Sequence, residues 1–340
     1  MANGKPYTLN AFKGIDNKNA PEAIVTSDRG IITSYLPDAV NVDISRTGRV
    51  VRRKGFALHT AGVCHSLWFG NGIGFVVKDS RLGALDSALA FTDLRAASNR
   101  FFSYADTGAG IYMTDGADML RYRDGALAVL GGAGSYDPAS SYLDPSEDAT
   151  VYDKPLPGNL VVWMFGRLWI ATDEAIFYSR GYYPDQFNLA DDFIDEPNVT
   201  LLGAAADGIY IGTDKRVQFF DNANPKAPAA VTTVSNYGAV PRTQLLVEDA
   251  EVFGVDGASG PCVVWESQEG KMLGLRGGRV VKMTDKHVSY PVGDYGASIL
   301  RKLNGETQHI SSISTSDGDS SNMRTSDTAV AEVIRNGILI

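Results

Sequence analysis

The chain has 340 residues, a net charge of −9 and a hydrophobic content of 44%, values that are ordinary for a globular protein with a sizeable core. The acidic balance argues against a protein that coats nucleic acid, two cysteines exclude a disulfide scaffold, and no apolar run reaches the length of a membrane helix. The 36 glycines and the 10% aromatic content favour β-strands joined by tight turns.

The N-terminal segment, residues 1–55, is predicted to be extended and to make assembly contacts. The first 60 residues carry nine Lys or Arg against five acids, a net charge of +4 that leaves −13 for the remainder. Five of these positive charges fall within nine residues, at Arg46, Arg49, Arg52, Arg53 and Lys54. We expect these five side chains to contact either a neighbouring subunit or the phosphates of passing DNA.

Between residues 56 and 310, two apolar runs around a Thr-Asp-like turn recur. Three clear copies begin at Gly110, Arg167 and Gly208, and two weaker copies begin at Gly74 and Cys262. Because an Asp side chain accepts backbone N–H groups two residues on, each copy is expected to be an antiparallel hairpin whose turn is capped by its Asp. The copies start about 47 residues apart on average, close to the roughly 40–50 residues of a four-stranded propeller blade.

The repeat therefore predicts an all-β protein, a β-propeller of short antiparallel hairpin blades with N-terminal and C-terminal extensions. A further strand around residues 311–313 would complete a sixth blade or close the ring with an N-terminal strand, and a β-sandwich or stacked sheets are the alternative fold. Residues 311–340 are expected to form a Ser-rich flexible segment and an apolar tail that docks on its own domain or on a neighbour. The best helical candidates are residues 82–97 and 328–335, and residues 134–158 are expected to be a long loop.

No catalytic, cofactor-binding or metal-binding pattern rises above background, so the chain is expected to be a structural protein and not an enzyme. Cys64 and Cys262 lie in apolar runs and are interpreted as buried free thiols. Asp115, Asp173 and Asp214 occupy one point of the repeat. We interpret them as caps of their own turns, with a ring of acids as the alternative.

Two segments carry a family resemblance. The first contains residues 12–17 (FKGIDN), 36–43 (LPDAVNVD), 48–55 (GRVVRRKG) and 65–68 (HSLW). The second is residues 166–180 (GRLWIATDEAIFYSR) followed by 184–187 (PDQF). Together they resemble the propeller-bearing tail hub, nozzle and tail-stabilisation proteins of short-tailed bacteriophages.

The resemblance implies a virion structural protein, assembled in the host cytoplasm. It implies a ring of six copies that joins adjacent tail and adaptor proteins around the DNA exit path. The acidic body fits a conduit, because like charge keeps a passing polyanion from sticking. The alternative is a glycan-binding or glycan-cleaving propeller at the tail tip. Its stacking platforms would be Trp163, Trp169, Tyr182 and Tyr183, with an acid pair such as Asp191 and Asp192 for cleavage.

Overall fold

The computed structural model describes residues 11–16, 19, 25–28, 31–36, 42–44, 50–52, 61–97, 100–130, 152–221, 230–283, 293–303, 306–314, 330–335 and 338–339. These residues contain no α-helix and are mostly β-strand. Five strands come first: β1 (Ala11–Ile15), β2 (Val25–Asp28), β3 (Ile31–Leu36), β4 (Val42–Ile44) and β5 (Val50–Arg52). They form a three-stranded sheet of order β1-β3-β2, in which β1 and β3 are parallel, and a β4–β5 pair.

Six antiparallel sheets follow in chain order within the described residues, and each is a meander of consecutive strands. Sheets 1 and 2 contain β6 (Cys64–Gly70), β7 (Ile73–Lys78), β8 (Arg81–Leu85) and β9 (Phe91–Ala96), then β10 (Ser103–Asp106), β11 (Ile111–Thr114), β12 (Met119–Arg123) and β13 (Ala126–Val129). Sheets 3 and 4 contain β14 (Leu160–Met164), β15 (Arg167–Ala171), β16 (Ile176–Arg180), β17 (Tyr183–Phe187) and β18 (Phe193–Ile194), then β19 (Leu201–Ala204), β20 (Ile209–Gly212), β21 (Val217–Phe220) and β22 (Val231–Ser235). Sheets 5 and 6 contain β23 (Leu245–Val247), β24 (Cys262–Ser267), β25 (Gly270–Gly274) and β26 (Val280–Lys282), then β27 (Tyr295–Leu303), β28 (Glu306–Ser314), β29 (Val330–Arg335) and β30 (Ile338–Leu339).

The five predicted hairpins are confirmed, since they are the second and third strands of sheets 1 to 5. The expected capping residue is correct in only one of the three clear copies. In sheet 2, Asp115 accepts the backbone N–H groups two and three residues on, at 3.0 and 2.9 Å. In sheets 3 and 4, the hydroxyls of Thr172 and Thr213 take these positions instead. A Thr hydroxyl and an Asp carboxylate can close the same turn, so the choice between neighbours is local.

Both helical candidates are wrong. Residues 82–97 contribute to β8 and β9, and residues 330–335 form β29. Between β8 and β9, the Asp86 carboxylate accepts the N–H groups of Ala88 and Ala90, both at 2.9 Å, which closes a turn. Pairing with β7 then satisfies the backbone of β8 as a strand, and this tertiary contact overrides the helix preference of Leu and Ala.

The C-terminal residues build the sixth sheet. The predicted strand at 311–313 is confirmed within β28, and the expected boundary at residue 310 falls inside that strand. The apolar tail docks on its own domain, because β29 pairs with β28 over six residues from Gln308↔Arg335 to Ile313↔Val330. Residues 315–329 of the expected flexible segment, and 134–151 of the expected long loop, lie outside the described residues.

Consecutive sheets pack face to face through separate apolar clusters. Along β15, Trp169 belongs to the cluster between sheets 3 and 4, whereas its neighbour Ile170 belongs to the cluster between sheets 2 and 3. Along β20, Ile211 faces sheet 3 and Tyr210 faces sheet 5. Because side chains alternate along a strand, each inner sheet buries one face against the preceding sheet and the other against the following one. This stacking is that of a β-propeller, as the repeat predicts, and not of a two-sheet sandwich.

The two thiols differ in burial. Cys262 lies fully buried between sheets 5 and 6, as predicted, and burial raises the pKa of its thiol to about 12. Cys64 is exposed, which corrects the prediction. Cys64 begins β6, a first strand with several exposed side chains, so an apolar run did not imply two buried faces.

Two joints between sheets contain buried polar groups. At the joint of sheets 2 and 3, the Asp185 carboxylate accepts from the Tyr112 hydroxyl at 2.6 Å and pairs with the Arg121 guanidinium at 2.5 Å. At the joint of sheets 5 and 6, the Ser311 hydroxyl donates to Glu266, whose carboxylate lies 3.3 Å from the Lys271 ammonium.

These charges are almost wholly removed from water. Glu266, Lys271 and His309 are all 0% exposed, and Asp185 is 5% exposed. Burial raises the pKa of Asp185, whereas the hydrogen bond from Tyr112 and the Arg121 charge act in the opposite direction. Buried ion pairs fix geometry more reliably than they add stability, so we interpret both clusters as devices that align one sheet on the next.

Candidate functional site

A central cavity of about 680 Å³ lies among the described residues. The first strands of five sheets line it, with the residues that lead into them. The lining segments are 67–69 of β6, 101–104 at β10, 159–162 at β14, Arg242 with 244–246 at β23, and 298–300 of β27. Its volume lies in the range of roughly 300–1,000 Å³ that small-molecule sites occupy.

One wall of the cavity is an aromatic stack. The Trp68 and Tyr104 rings lie nearly parallel, with centroids 5.7 Å apart and an interplanar angle of 17°. The Tyr104 hydroxyl donates to the Ser66 carbonyl at 2.9 Å, and burial raises the pKa of Tyr104. The ring stacking and the hydrogen bond of the Tyr104 hydroxyl therefore fix the position of this wall between sheets 1 and 2.

Exposed apolar side chains gather at the same cavity. Leu67 is 56%, Phe69 50%, Leu246 42% and Ile299 52% exposed, and all four line it. They come from sheets 1, 5 and 6, which are far apart in sequence. Large apolar side chains that converge from several elements and stay exposed are typical of binding surfaces.

Arg242 is the only charged residue among the described lining residues. Its guanidinium carbon lies 3.7 Å from the centroid of the Phe101 ring, a close cation–π contact between the segments that precede sheets 5 and 2. No carboxylate or hydrogen-bond acceptor among the described residues pairs with it. Burial lowers the pKa of Arg242, but a guanidinium remains cationic throughout the working range of pH.

The backbone at the cavity is unusual on two sides. Arg242 has φ of 68° and Ser66 has φ of 56°, left-handed values that L residues other than Asn and Asp seldom adopt. At Ser66 the β6–β7 register shifts between His65 and Trp68, which turns the following residues toward the cavity. The Ser66 hydroxyl accepts the Phe102 N–H at 2.9 Å and so ties this bulge to sheet 2.

His65 stands beside this cationic corner. Its ring centroid is 5.0 Å from that of Phe101, and burial and the Arg242 charge both lower the pKa of His65. The imidazole is therefore neutral at neutral pH. The corner combines one cation, one neutral ring and apolar walls, an arrangement that can bind an anion.

The sequence-predicted basic cluster lies elsewhere. Arg52 ends β5, where its backbone pairs with Val42 of β4. Arg46, Arg49, Arg53 and Lys54 lie outside the described residues. The prediction that these five residues contact a subunit or DNA stays a prediction.

The four aromatics predicted as glycan platforms differ in exposure. Trp169 is fully buried, Trp163 and Tyr183 are partly buried, and only Tyr182 is largely exposed, at 81%. Asp191 and Asp192 belong to a turn in which both N–H groups bond to the Asn188 carbonyl. As for the repeated acids, Asp115 is buried in its turn, while Asp173 and Asp214 are exposed.

Sequence reasoning missed the residues of the cavity. Arg242 sits in no basic run, and Phe101 and Phe69 resemble ordinary core aromatics in the sequence. Their proximity depends on sheets 1, 2 and 5 standing around one space, which no local pattern reports. Among the described residues, no group of three or more His, Cys, Asp or Glu is placed to hold a metal ion.

No family model matches this chain, and no curated protein matches it. Solved structures align at low identity. The extracellular domain of the one-component system BT4673 from B. thetaiotaomicron aligns at 10% identity and a TM-score of 0.42, over 83% of this chain and 38% of that chain. The N-terminal domain of Nup159 aligns at 10% identity and 0.40, over 80% and 73%. AztD from Citrobacter koseri aligns at 7% identity and 0.33, over 84% and 88%.

At these identities and TM-scores the alignments carry no argument about function, and the chain spans well under half of the BT4673 domain. The propeller-type fold follows from the sheets described above. The part of the chain that the structure describes contains no helix with the length and apolarity that a membrane crossing requires.

Proposed function

We propose that this chain is a structural part of a bacteriophage tail, of the hub or nozzle type, whose copies form a ring on the DNA exit path. The observation that carries the proposal is the placement of the second resembling segment. Residues 176–187 form β16 and β17, and Ser179, Asp185, Gln186 and Phe187 are at most 5% exposed. The residues that carry the resemblance therefore act in packing.

The contacts of this segment are architectural. The Ser179 hydroxyl accepts the Leu168 N–H at 2.9 Å and donates to the Arg180 carbonyl at 3.0 Å, which ties β16 to β15 inside sheet 3. Asp185 then joins sheet 3 to Tyr112 and Arg121 of sheet 2. A motif used to lock sheets together supports a role in which the shape of the chain is its function.

Charge supports the same role. Beyond residue 60 the chain carries −13, which repels a polyanion and limits non-specific adhesion of DNA. The basic N-terminal segment would then serve contacts to acidic surfaces of neighbouring copies.

The test is whether the chain is a stoichiometric part of the particle. Mass spectrometry of purified phage particles should find it at a multiple-copy ratio to the portal or adaptor, and cryo-EM should place it in the tail. Absence of its peptides from purified particles would overturn the proposal.

A matched pair of variants tests the architectural use of the motif. Asp185→Ala should reduce incorporation into particles, because it leaves the Arg121 charge buried without its carboxylate. Asp214→Ala removes an acid that is exposed in its turn and should leave incorporation unchanged. Equal incorporation of both variants would contradict the role given to Asp185.

A further inference from the structure

We infer that the central cavity is a binding site for a small organic monoanion with a flat apolar body. The inference goes beyond the structural role proposed above and does not depend on it. The cavity of about 680 Å³ has the size and the mixture of apolar walls with few polar groups that small-molecule sites show.

Arg242 is the reason that we expect the ligand to be an anion. It is an exposed cation whose guanidinium lies 3.7 Å from the Phe101 ring centroid, and no anion of the described residues neutralises it. The Phe101 ring covers one face of the guanidinium, and a bound carboxylate or sulfonate would pair with its N–H groups through the planar fork. The backbone of Arg242 has a left-handed φ of 68°, a conformation that costs free energy for an L residue and that the surrounding structure must maintain.

The apolar walls of the cavity are the reason that we expect the ligand to have a flat apolar body. Leu67, Phe69, Leu246 and Ile299 are 42–56% exposed around one space, and the Trp68–Tyr104 stack forms an adjacent wall. A flat ligand would cover these side chains and remove their apolar surface from water.

One charge among the lining residues fits a monoanion better than a polyphosphate. Phosphate chains and nucleic-acid backbones are bound by several Lys or Arg, whereas the described lining contains Arg242 alone. Among the other polar lining residues, Ser103, Asn159 and Gln244 bond to protein atoms. The Ser298 hydroxyl oxygen has no hydrogen-bond partner among the described residues. It can donate to a ligand atom and so orient the bound molecule.

The test uses two fluorescent probes and the full chain. One is 8-anilinonaphthalene-1-sulfonate, a flat aromatic monoanion, and the other is N-phenyl-1-naphthylamine, the same ring system without the sulfonate. Fluorescence titration should show one saturable site per chain for each. Arg242→Asn should weaken binding of the sulfonate probe about tenfold or more and that of the neutral probe less than about twofold. Asn suits the left-handed backbone, so this variant should fold.

Two further variants keep the test decisive. Leu246→Glu adds a negative charge at an exposed lining position. It should therefore weaken binding of the sulfonate probe more than binding of the neutral probe. Arg276→Gln removes an exposed charge outside the lining residues and should change neither probe. If Arg242→Asn fails to fold, the contrast between Leu246→Glu and Arg276→Gln decides.

Three results would overturn the inference. The first is an equal loss of sulfonate binding in Arg242→Asn and Arg276→Gln, which would reflect bulk charge. The second is a parallel loss of both probes in Arg242→Asn, which would reflect altered packing. The third is the absence of a saturable site in the unmodified chain.

Discussion

The joint between sheets 3 and 4 is filled with hydrocarbon, whereas the joint between sheets 5 and 6 encloses two charges and a histidine. In the first, Trp169 and Tyr178 pack against Leu202 and Ile211 of the next sheet, all at most 1% exposed. In the second, Glu266, Lys271 and His309 are 0% exposed beside an apolar cluster of Cys262, Val264 and Leu273.

The difference teaches that one geometry is stabilised in two ways. Apolar area contributes in proportion to its burial and depends little on pH. A buried ion pair depends on both partners and on their protonation states. Sheet 6 is built from the C-terminal strands, and we expect its packing on sheet 5 to depend on pH. The packing of sheet 3 on sheet 4 should be stable over the same pH range.

The largest expected effect is the loss of the apolar joint. Trp169→Ala should lower the free energy of unfolding by about 3–5 kcal/mol, because it removes a fully buried ring and leaves a cavity. Urea denaturation followed by fluorescence measures this change. The control is Trp163→Ala, at a partly buried position, which should cost less. Equal costs would mean that joint 3–4 is not the stable part.

The next effect separates the charged joint from the apolar one. Glu266→Leu should cost about 3 kcal/mol, since it leaves the Lys271 ammonium buried without its carboxylate. The double variant Glu266→Leu with Lys271→Met should recover most of that loss, because a hydrocarbon pair has no charge to desolvate. Urea denaturation of both variants gives the values. A double variant that stays about as unstable as the single one, well below the unmodified chain, would show that the pair itself stabilises the joint.

Acid should loosen the charged joint first. Burial and the Lys271 charge hold the pKa of His309 well below its usual value, which is about 6.5 in the unfolded chain. The unfolded state therefore binds more protons below that pH, so the stability present above it is lost as pH falls. Between pH 7 and about pH 5 we therefore expect protonation of His309 in the unfolded chain to lower the free energy of unfolding.

Hydrogen–deuterium exchange locates this loss. Amides of β28 should exchange faster at about pH 5 after correction for the intrinsic rate, whereas amides of β15 and β20 should not. In His309→Gln the extra loss of stability on acidification should shrink. The same pH dependence with and without His309 would contradict the assignment, although His65, whose pKa is also lowered, contributes in the same direction in both proteins.

The hairpins could be predicted because their signals are local. The turn residue, the flanking apolar runs and the roughly 40–50-residue spacing all lie within one repeat. The same locality explains the errors. Helix preference in residues 82–97 was overridden by pairing with β7, and Cys64 is exposed because β6 is a first strand. The sequence pattern does not report which strand of a sheet lies against a neighbour.

The site could not be predicted, because its contacts span the chain. Arg242 lies against Phe101, 141 positions earlier in the sequence, and Tyr112 meets Asp185 across 73 positions. Such pairs depend on the order and rotation of whole sheets. A lone Arg after a Pro carries no signal of its own, and its function becomes visible only when an apolar space without a counterion surrounds it.

The smallest expected effect concerns the turns of sheets 4 and 5. It tests whether the two joints differ in anything other than the side chains packed between the sheets. Thr213 of sheet 4 and Ser267 of sheet 5 close equivalent turns, each accepting the N–H two residues on, at 3.2 and 3.1 Å. Because these bonds are local, Thr213→Val and Ser267→Ala should each cost about 1 kcal/mol, independent of the joint behind them. Asp214→Ala, at the exposed neighbour of Thr213, is the control and should cost almost nothing.

Thermal and urea unfolding of the three variants at neutral pH would measure these costs. A Ser267→Ala cost well above that of Thr213→Val would mean that the turn of sheet 5 also supports Glu266, which precedes Ser267 in β24. In that case the stability of the buried ion pair would depend on the turn of sheet 5 as well as on the side chains between sheets 5 and 6. The pH-dependent part of the molecule would then include all of sheet 5. Equal losses of stability in Thr213→Val and Ser267→Ala would mean that the two joints differ only in their buried side chains.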